Sequence, residues 1–172
     1  METLLIGCDI GTQGTKAAIY RLDGSCVSES FEASVLLHPE PDAITQDPEE
    51  MLASVCRTIR SAMAKCGASP DTIAAIGIDA QMAGILGIGI DGIAVTPYDS
   101  WLDTRCSAYV KMMKKAAGDE IVKITGGQVT IAHGPKVLWW KNEQPQIYSR
   151  ISKFVTPSAY VVMRLCGLNA DH

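Results

Sequence analysis

The chain opens with two apolar runs that flank a short polar stretch. The runs cover residues 4–10 and 15–22 and are rich in isoleucine, leucine and alanine. Short apolar segments on either side of a glycine-containing turn predict a β-hairpin. Asp23-Gly24, a favoured pair for a tight turn, then leads into an alternating segment over residues 26–35. Three antiparallel strands are therefore expected to open the fold.

A helical pattern follows these strands. Asp47 suits the N-cap, Pro48 suits the first helical position, and Gly67 suits the C′ position. Between them, apolar residues recur at helical spacing: Leu52, Val55, Ile59 and Met63. Residues 73–80 are nearly all apolar, which predicts a central strand covered on both faces. Asp91-Gly92 then predicts a second hairpin.

The rest of the chain is predicted to be mostly helical. Helices are expected over 104–117, near 119–124, from about Pro135, and over 159–166 with Ser158 as the N-cap. "FVTP" predicts a short strand before the last helix. Strands and helices in this order predict an α/β domain rather than a β-sandwich or a helix bundle.

Composition and charge exclude several classes of protein. The 172 residues are 47% hydrophobic and 20% charged, with a formal net charge of −4 and no basic block. This charge argues against nucleic acid as a partner, and no apolar run approaches the roughly 20 residues that span a bilayer. Six scattered cysteines without a CxxC pair predict reduced thiols, and hence a cytoplasmic protein.

The polar stretch "DIGTQGTK" at residues 9–16 has the chemistry of a phosphate site. Its spacing excludes a P-loop and a dinucleotide-binding fingerprint at this place, since the glycines fall at 7, 11 and 14 and fit neither GxxxxGK[ST] nor GxGxxG. Gly11 and Gly14 are expected to adopt unusual dihedrals and allow close backbone approach, and Thr12 and Thr15 add hydroxyl donors. Asp9 suits a hydrated Mg²⁺. An ordinary hairpin turn that binds nothing is the alternative.

Several segments resemble the FGGY carbohydrate kinases, particularly the xylulokinase-like branch, in collinear order along nearly the whole chain. "HPEPDAITQDPEEM" resembles "GW.EQDPEEW", "IAAIGIDAQMAGI" resembles "I..IG.SGQMHG", and "YDSWLDTRC" resembles "ILWNDGRC". The segment from "ITGG" to "RLCG" resembles "TG......APKLLWLKENEPE...I...L.P.DYL...LTG". The resemblance implies a ribonuclease H-like fold, as in actin, Hsp70 and sugar kinases, with a mixed sheet, helices and an incomplete domain.

The resemblance also implies roles for individual residues. Asp9 would hold Mg²⁺ through water, and the hairpin turn would face the transferred phosphate of MgATP through Gly11, Thr12, Gln13, Gly14 and Thr15. Lys16 would add a cation there, or would be solvated surface. The sugar would contact Gln81, Met82, Trp101, Asp103 and Arg105. The alternatives are a core role for Met82, a loop anchor for Trp101 and an N-cap for Asp103.

Two departures from the family pattern leave the sugar open. Ala83 stands where the pattern has a histidine after the methionine, and "SWLDTR" replaces "LWNDGR". A pentulose, pentose, hexulose or polyol is compatible with both changes. His133 precedes the "PK" helix and lies where it could approach a substrate, but a lone histidine in such a loop is more often exposed surface, so it receives no role.

The resemblance covers only the N-terminal part of the family's first domain. We therefore expect residues 1–172 to lack the catalytic aspartate, which lies beyond His172 in the family, and the second, ATP-binding domain. The chain alone is expected to be inactive as a kinase and to self-associate through exposed apolar surface. The alternative is a non-catalytic sugar-sensing or assembly module, or an ATPase piece like actin or Hsp70.

Overall fold

The computed structural model describes residues 2–171. Its N-terminal half contains the first sheet and the longest uninterrupted helix. The elements are β1 (Leu4–Ile10), β2 (Gly14–Arg21), β3 (Cys26–Ala33), β4 (Thr45–Gln46), α1 (Pro48–Cys66), a short 3₁₀ helix (Pro70–Thr72) and β5 (Ile73–Ala80).

The C-terminal half forms a second, smaller sheet and four helices. Its elements are β6 (Gly84–Ile88), β7 (Tyr98–Ser100), α2 (Ser107–Thr125), α3 (Gly134–Glu143), α4 (Pro145–Tyr148), β8 (Lys153–Val155) and α5 (Pro157–Leu165). The α/β class predicted from the order of the elements is confirmed.

The first sheet has the strand order β3-β2-β1-β5, with β1 antiparallel to β2 and parallel to β5. Alternate residues of β1 point toward α1 and are buried, among them Ile6 and Ile10. The residues between them point to the opposite, open face, where Asp9 is exposed. This period-two alternation determines which face of the sheet each side chain of the β1–β2 hairpin points to.

The prediction that residues 73–80 form a covered central strand is wrong. Within residues 2–171, β5 is the last strand of its sheet, and the stretch from Ala74 to Gly77 is exposed. Ile76 is 47% exposed. An apolar strand is expected to be covered, but the sequence of a strand does not specify the neighbour that covers it.

Helix α1 begins and ends as the sequence predicts. The Asp47 carboxylate accepts a hydrogen bond from the Glu49 N–H at 2.9 Å, and Pro48 occupies the first turn. Gly67 is left-handed, with φ 68°, and its N–H bonds back to the last turn. The helix therefore lies across β1–β3 with both ends fixed by local chemistry.

The second sheet has the order β4-β7-β6-β8. Every residue of β6 is buried, and the predicted turn at Asp91-Gly92 is present, with Gly92 at φ 78°. Gly84 has φ 120°, and an added Cβ there would lie 2.5 Å from the Asp99 carbonyl oxygen. Only glycine fits at this position, and it allows β6 to pair closely with β7 directly after the turn at Gln81 and Met82.

The C-terminal helices differ from prediction in their details. The two helices expected over 104–117 and 119–124 form one helix with a kink at Ala117, where φ is −151°. Helix α5 begins one residue before Ser158, and Thr156 occupies the N-cap position. Within residues 2–171, no helix combines the length and apolar character needed to cross a bilayer.

Candidate functional site

The tip of the β1–β2 hairpin is held in place by hydrogen bonds that its backbone carbonyl groups accept. The Gly11 N–H donates to the Gly14 carbonyl at 2.9 Å and closes the turn. Ser34, just after β3, donates its N–H to the Gln13 carbonyl at 3.0 Å and its hydroxyl to the Thr12 carbonyl at 2.8 Å. The tip is therefore held against the end of β3 through groups that carry no charge.

Gly14 is required by packing rather than by an unusual backbone angle. A Cβ added there would lie 2.3 Å from the Glu32 carbonyl oxygen and 2.4 Å from the Phe31 ring. Neither Gly11 nor Gly14 is among the glycines with positive φ, so the expectation of unusual dihedrals is wrong. The expected close approach exists at Gly14, where the neighbouring strand β3 makes it.

Asp9 lies on the open face of the first sheet beside two other charged residues. The strand registers place it opposite Lys16 on β2 and opposite Asp79 on β5. All three line an open groove of about 530 Å³. The Lys16 ammonium is 2.7 Å from the Glu29 carboxylate, an ion pair that raises the pKa of Lys16. The groove therefore has two carboxylates at its floor and a lysine at its side.

These donors fit a hydrated magnesium ion. Magnesium prefers carboxylate oxygens and usually keeps several waters when one or two carboxylates bind it. Within the described part of the chain, no group of three or more His, Cys, Asp and Glu residues could hold a metal, so a site for a fully dehydrated ion is not built here. Asp79 was not singled out in the sequence, although its register with Asp9 follows from a parallel pairing of the two strands.

The hydroxyl of Thr15 does not serve the tip, contrary to the sequence-based expectation. Thr15 pairs with Ile10 across the hairpin and points to the buried face. Its Oγ1 lies 2.7 Å from the Ser54 hydroxyl of α1. The physical reason is the alternation of side chains along β2, which sends Thr15 and Lys16 to opposite faces of the sheet.

Thr12 joins the hairpin tip to two segments that are distant in sequence. Its hydroxyl accepts a hydrogen bond from the Trp101 indole N–H at 2.9 Å and donates to the Gln81 side-chain oxygen at 3.0 Å. The Gln81 amide in turn donates to the buried Gln46 side chain at 2.8 Å. The structure thus brings predicted phosphate residues and predicted sugar residues together in one network, which we call the tip network (Thr12, Gln46, Gln81, Trp101).

Exposed side chains surround the tip network. Met82 is 84% exposed and Trp101 is 45% exposed, although large apolar side chains are normally covered. His133, just before α3, is also exposed, and its Nε2 lies 3.2 Å from the Met82 carbonyl oxygen. The core alternative for Met82 is therefore wrong. Trp101 is tied to the hairpin through its indole N–H while nearly half of its surface remains open.

Asp103 and Arg105, the other predicted sugar residues, are used inside the protein. The Asp103 side chain is 3% exposed, and its carboxylate accepts from the Ile44 N–H at 3.0 Å and from Arg105 Nε at 2.9 Å. Arg105 also donates to Asp99 at 2.8 Å and to Glu40 at 3.0 Å. This geometry does not support a direct contact between Asp103 and a sugar.

The Arg105 guanidinium also stacks on an aromatic ring. Its central carbon lies 4.3 Å from the centre of the Trp139 ring. With an 11% exposed side chain, Arg105 is held from several directions at once. Such a cation fixes the loop that contains it, because displacing it would break all of these contacts together.

Helix α3 completes this buried arrangement. Lys136 is fully buried and donates to the Asp103 carbonyl at 2.8 Å, and the Trp140 indole N–H donates to the Asp99 carboxylate at 2.5 Å. Burial raises the pKa of Asp99 to about 6, although the charge of Arg105 and the Trp140 hydrogen bond oppose that rise. We call this set the buried charge cluster (Asp99, Asp103, Arg105, Lys136, Trp140).

Besides Asp79, four residues of the site escaped the sequence-based predictions, namely Gln46, Asp99, Lys136 and Trp140. A spacing of four places Lys136 and Trp140 on one helix face, which was a usable signal. If that face packs inward, Lys136 on it needs a partner, because lysine is almost never fully buried unless it is paired. Asp99 lies only four residues before Asp103 in the same segment, but nothing in the sequence separates a buried carboxylate from an exposed one there.

The family of the chain follows from comparison with known proteins. The family model for the FGGY family of carbohydrate kinases, N-terminal domain, matches residues 4–172. The chain belongs to the FGGY family of carbohydrate kinases. The predicted family is thereby confirmed, and the site described above is part of an FGGY kinase domain.

Relatives of this FGGY chain include enzymes for different sugars. The xylulose kinase of Staphylococcus xylosus is 31% identical over 168 residues, covering 95% of this chain and 34% of that protein. The gluconokinase of Bacillus subtilis (strain 168) is 27% identical over 167 residues, covering 96% and 32%. The chain therefore spans about a third of the length of the curated relatives it matches.

Solved structures confirm the predicted fold. A gluconate kinase from Lactobacillus acidophilus matches with a TM-score of 0.87 at 26% identity, covering 95% of this chain and 33% of that one. The ligand-bound xylulose kinase from the same organism matches with a TM-score of 0.86 at 26% identity, covering 94% and 33%. The fold is that of the sugar kinases in the ribonuclease H-like superfold.

Proposed function

We propose that this chain is the N-terminal part of the first domain of an ATP-dependent carbohydrate kinase, in which it provides one side of the phosphate site and part of the sugar site. The observation that carries this proposal is the tip network. Thr12 lies on the hairpin that would face phosphate, while Gln81 and Trp101 lie on segments that would face sugar, and hydrogen bonds join all three. A kinase needs its acceptor held beside the phosphoryl group, because positioning supplies much of the catalysis.

The phosphate side of the proposal rests on the open groove. MgATP supplies the transferred phosphoryl group and the metal charge that neutralises it. Asp9, supported by Asp79, would hold the hydrated Mg²⁺, and Lys16 would add positive charge beside it. In the turn formed by Gly11, Thr12, Gln13 and Gly14, the Gly11 N–H is bonded to the Gly14 carbonyl, and the backbone N–H groups of Thr12 and Gln13 would face the phosphate, while Thr15 supports the turn from the buried face.

The sugar side rests on exposed groups around the tip network. The Trp101 ring offers an apolar face to sugar carbons, and Gln81 and Met82 form the floor beside it. Asp103 and Arg105 act through position, because they fix the segment that carries Trp101; a contact of either with the sugar stays a prediction. The substrate class that fits the family is a sugar such as a pentulose, with a sugar acid as the second choice because of the gluconokinase relative.

The remaining parts of the catalytic site would lie outside residues 1–172. By the resemblance, the family's catalytic aspartate and second domain would lie outside the stretch matched here, and residues 1–172 alone would bind ligand weakly and not turn over. A cytoplasmic location fits the six free thiols, since cytoplasmic cysteines stay reduced. Exposed apolar residues on β5, such as Ile76, favour self-association of the isolated chain.

Sugar binding by the chain tests the proposal directly. The ¹⁵N-labelled chain has three tryptophan indole signals, and W101F identifies the Trp101 signal by its loss. Titration with D-xylulose and with D-gluconate should shift the Trp101 signal saturably for one of them, while the buried Trp140 signal serves as the internal control. Absence of a saturable Trp101 shift with every sugar and sugar acid of a pentose and hexose panel would contradict the proposal.

A further inference from the structure

The turn after β5 lacks a hydrogen-bonding side chain at a position where the family pattern has one. Ala83 follows Met82, whereas the family pattern has a histidine there. The backbone of this turn is nevertheless held in place, because the Tyr98 hydroxyl donates to the Ala83 carbonyl at 2.7 Å. The turn is ordered, but it presents a methyl group instead of an imidazole.

An imidazole reaches the same turn from a different segment. His133 Nε2 lies 3.2 Å from the Met82 carbonyl oxygen, one residue before Ala83. The His133 side chain makes no capping hydrogen bond to α3, although it occupies the N-cap position. Its contact with the turn is therefore not a by-product of helix capping.

The position of His133 is fixed by the residues on both sides of it. Pro135 and Lys136 in the first turn of α3 are buried, and Lys136 is bonded to the Asp103 carbonyl, two residues after Trp101. On the other side, the Cys106 thiol lies 3.8 Å from the Ile131 carbonyl. His133 is thus an exposed side chain on a well-anchored backbone, as a ligand-facing group should be.

We propose that His133 contacts a hydroxyl group of the sugar and takes the place of the histidine that Ala83 replaces; this inference rests on the proposed function. When Nε2 donates its hydrogen to the Met82 carbonyl, Nδ1 is left as an acceptor for a sugar hydroxyl. Because the imidazole comes from the segment before α3 rather than from the turn itself, it meets the sugar from another direction. His133 is therefore a residue that sets which sugar is preferred.

Substitution of His133 tests this inference on the full chain, with the Trp101 indole signal as the readout of sugar binding. H133A should weaken binding of the preferred sugar by about five- to tenfold, the range expected for one lost hydrogen bond. H133Q, which keeps a polar side chain, should recover part of the loss. H38A is the matched control, since His38 is another exposed histidine and does not belong to the tip network, and it should bind like the unchanged protein.

A relocation variant separates sugar contact from a structural role. H133A/A83H moves the imidazole to the family position, and it should restore affinity for D-xylulose relative to H133A. The His133 ring signals should also shift during titration of the unchanged chain, in step with the Trp101 signal.

Two results would overturn the inference in distinguishable ways. If the Trp101 signal responds to a sugar with the same affinity in H133A and in the unchanged chain, His133 has no such role and the proposed function stands. If no sugar shifts the Trp101 signal in the unchanged chain, the proposed function fails and the inference fails with it.

Discussion

Two regions of this chain contain motif residues of the same chemical kind and use them in opposite ways. At the hairpin tip, Asp9 and Lys16 lie in an open groove, and Trp101 is nearly half exposed. In the buried charge cluster, Asp103 and Arg105 have almost no exposed surface and bond to other parts of the protein. The first region leaves the Asp9 carboxylate and part of the Trp101 ring open to a ligand, and the second uses its charged groups to hold the first in place.

The link between the two regions is short. Trp101 is two residues from Asp103, and Lys136 of the cluster is three residues from His133 beside the tip network. A buried ion pair contributes little net stability, but it fixes geometry because breaking it is costly. The cluster is therefore best understood as a support that positions Trp101 and His133.

Removal of a buried charge should have the largest effect on stability. K136M would remove one of the two cations of the cluster and leave Arg105 alone to balance Asp99 and Asp103, and loss of one partner of a buried pair typically costs about 3–5 kcal/mol. The free energy of unfolding from urea titration measures this loss. K141M, at an exposed lysine of the same helix, should change it by less than about 0.5 kcal/mol; equal effects of the two variants would contradict a supporting role for the cluster.

Crowding at the hairpin tip should have the next largest effect. G14A would place a methyl group against the Glu32 carbonyl and the Phe31 ring, and overpacking of this kind costs about 1–3 kcal/mol. G7A is the matched control in the same hairpin, because its new methyl group would lie 3.5 Å from Tyr20, at ordinary contact distance. Similar unfolding free energies for G14A and G7A would show that Gly14 is not a packing requirement.

The pH dependence of stability should report the burial of Asp99. Its pKa of about 6 lies above the ordinary value of 3.8, so the folded state binds this proton more tightly than the unfolded state. The stability from this group is complete below about pH 4 and is lost as the pH rises through about 6, by an amount on the order of 3 kcal/mol.

D99N isolates this contribution, because asparagine does not titrate. As the pH rises from 4 to 7, the unfolding free energy of the unchanged chain should fall relative to that of D99N. Above pH 7 the difference between the two should be constant. A difference that does not change with pH, or that grows in favour of the unchanged chain, would show that Asp99 is ionised throughout.

W101F should have the smallest effect on stability of these variants, but it should clearly weaken sugar binding. W101F removes the indole N–H that donates to Thr12 but keeps an aromatic ring in a half-exposed position. Its unfolding free energy should change by less than about 0.5 kcal/mol, while sugar affinity measured by calorimetry falls several-fold. Strong destabilisation without a change in affinity would make Trp101 a loop anchor.

Local rules predicted much of the fold. The hairpin at residues 4–21, the cap and end of α1 and the turn at Asp91-Gly92 each depend on residues within a few positions of one another. The error at β5 has a different origin, since its apolar sequence predicts coverage without identifying what covers it. The two helices expected on either side of Gly118 are one helix, because the single distorted residue Ala117 bends the helix without ending it.

The sequence predicted part of the candidate site's membership, but it did not predict the directions in which the side chains point. The resemblance to FGGY kinases brought Thr12, Gln81 and Trp101 onto one list, and the fold brought them into one network. Period-two alternation was sufficient to send Thr15 to the buried face, and the prediction overlooked it. The burial of Asp103 could not be foreseen, because its partners Ile44 and Lys136 are 59 and 33 residues away.

Metal binding at the hairpin tip tests most directly the claim that this region is the ligand-facing one. Mn²⁺ accepts the oxygen ligands of magnesium sites, and it broadens NMR signals of nearby amides. With tripolyphosphate present, Mn²⁺ should first broaden the amide signals of residues 9–14 and 79, and it should spare residues 23–25 at the far end of β2. D9N should abolish this selectivity. Broadening that is uniform along the chain, or that is the same in D9N, would contradict the account.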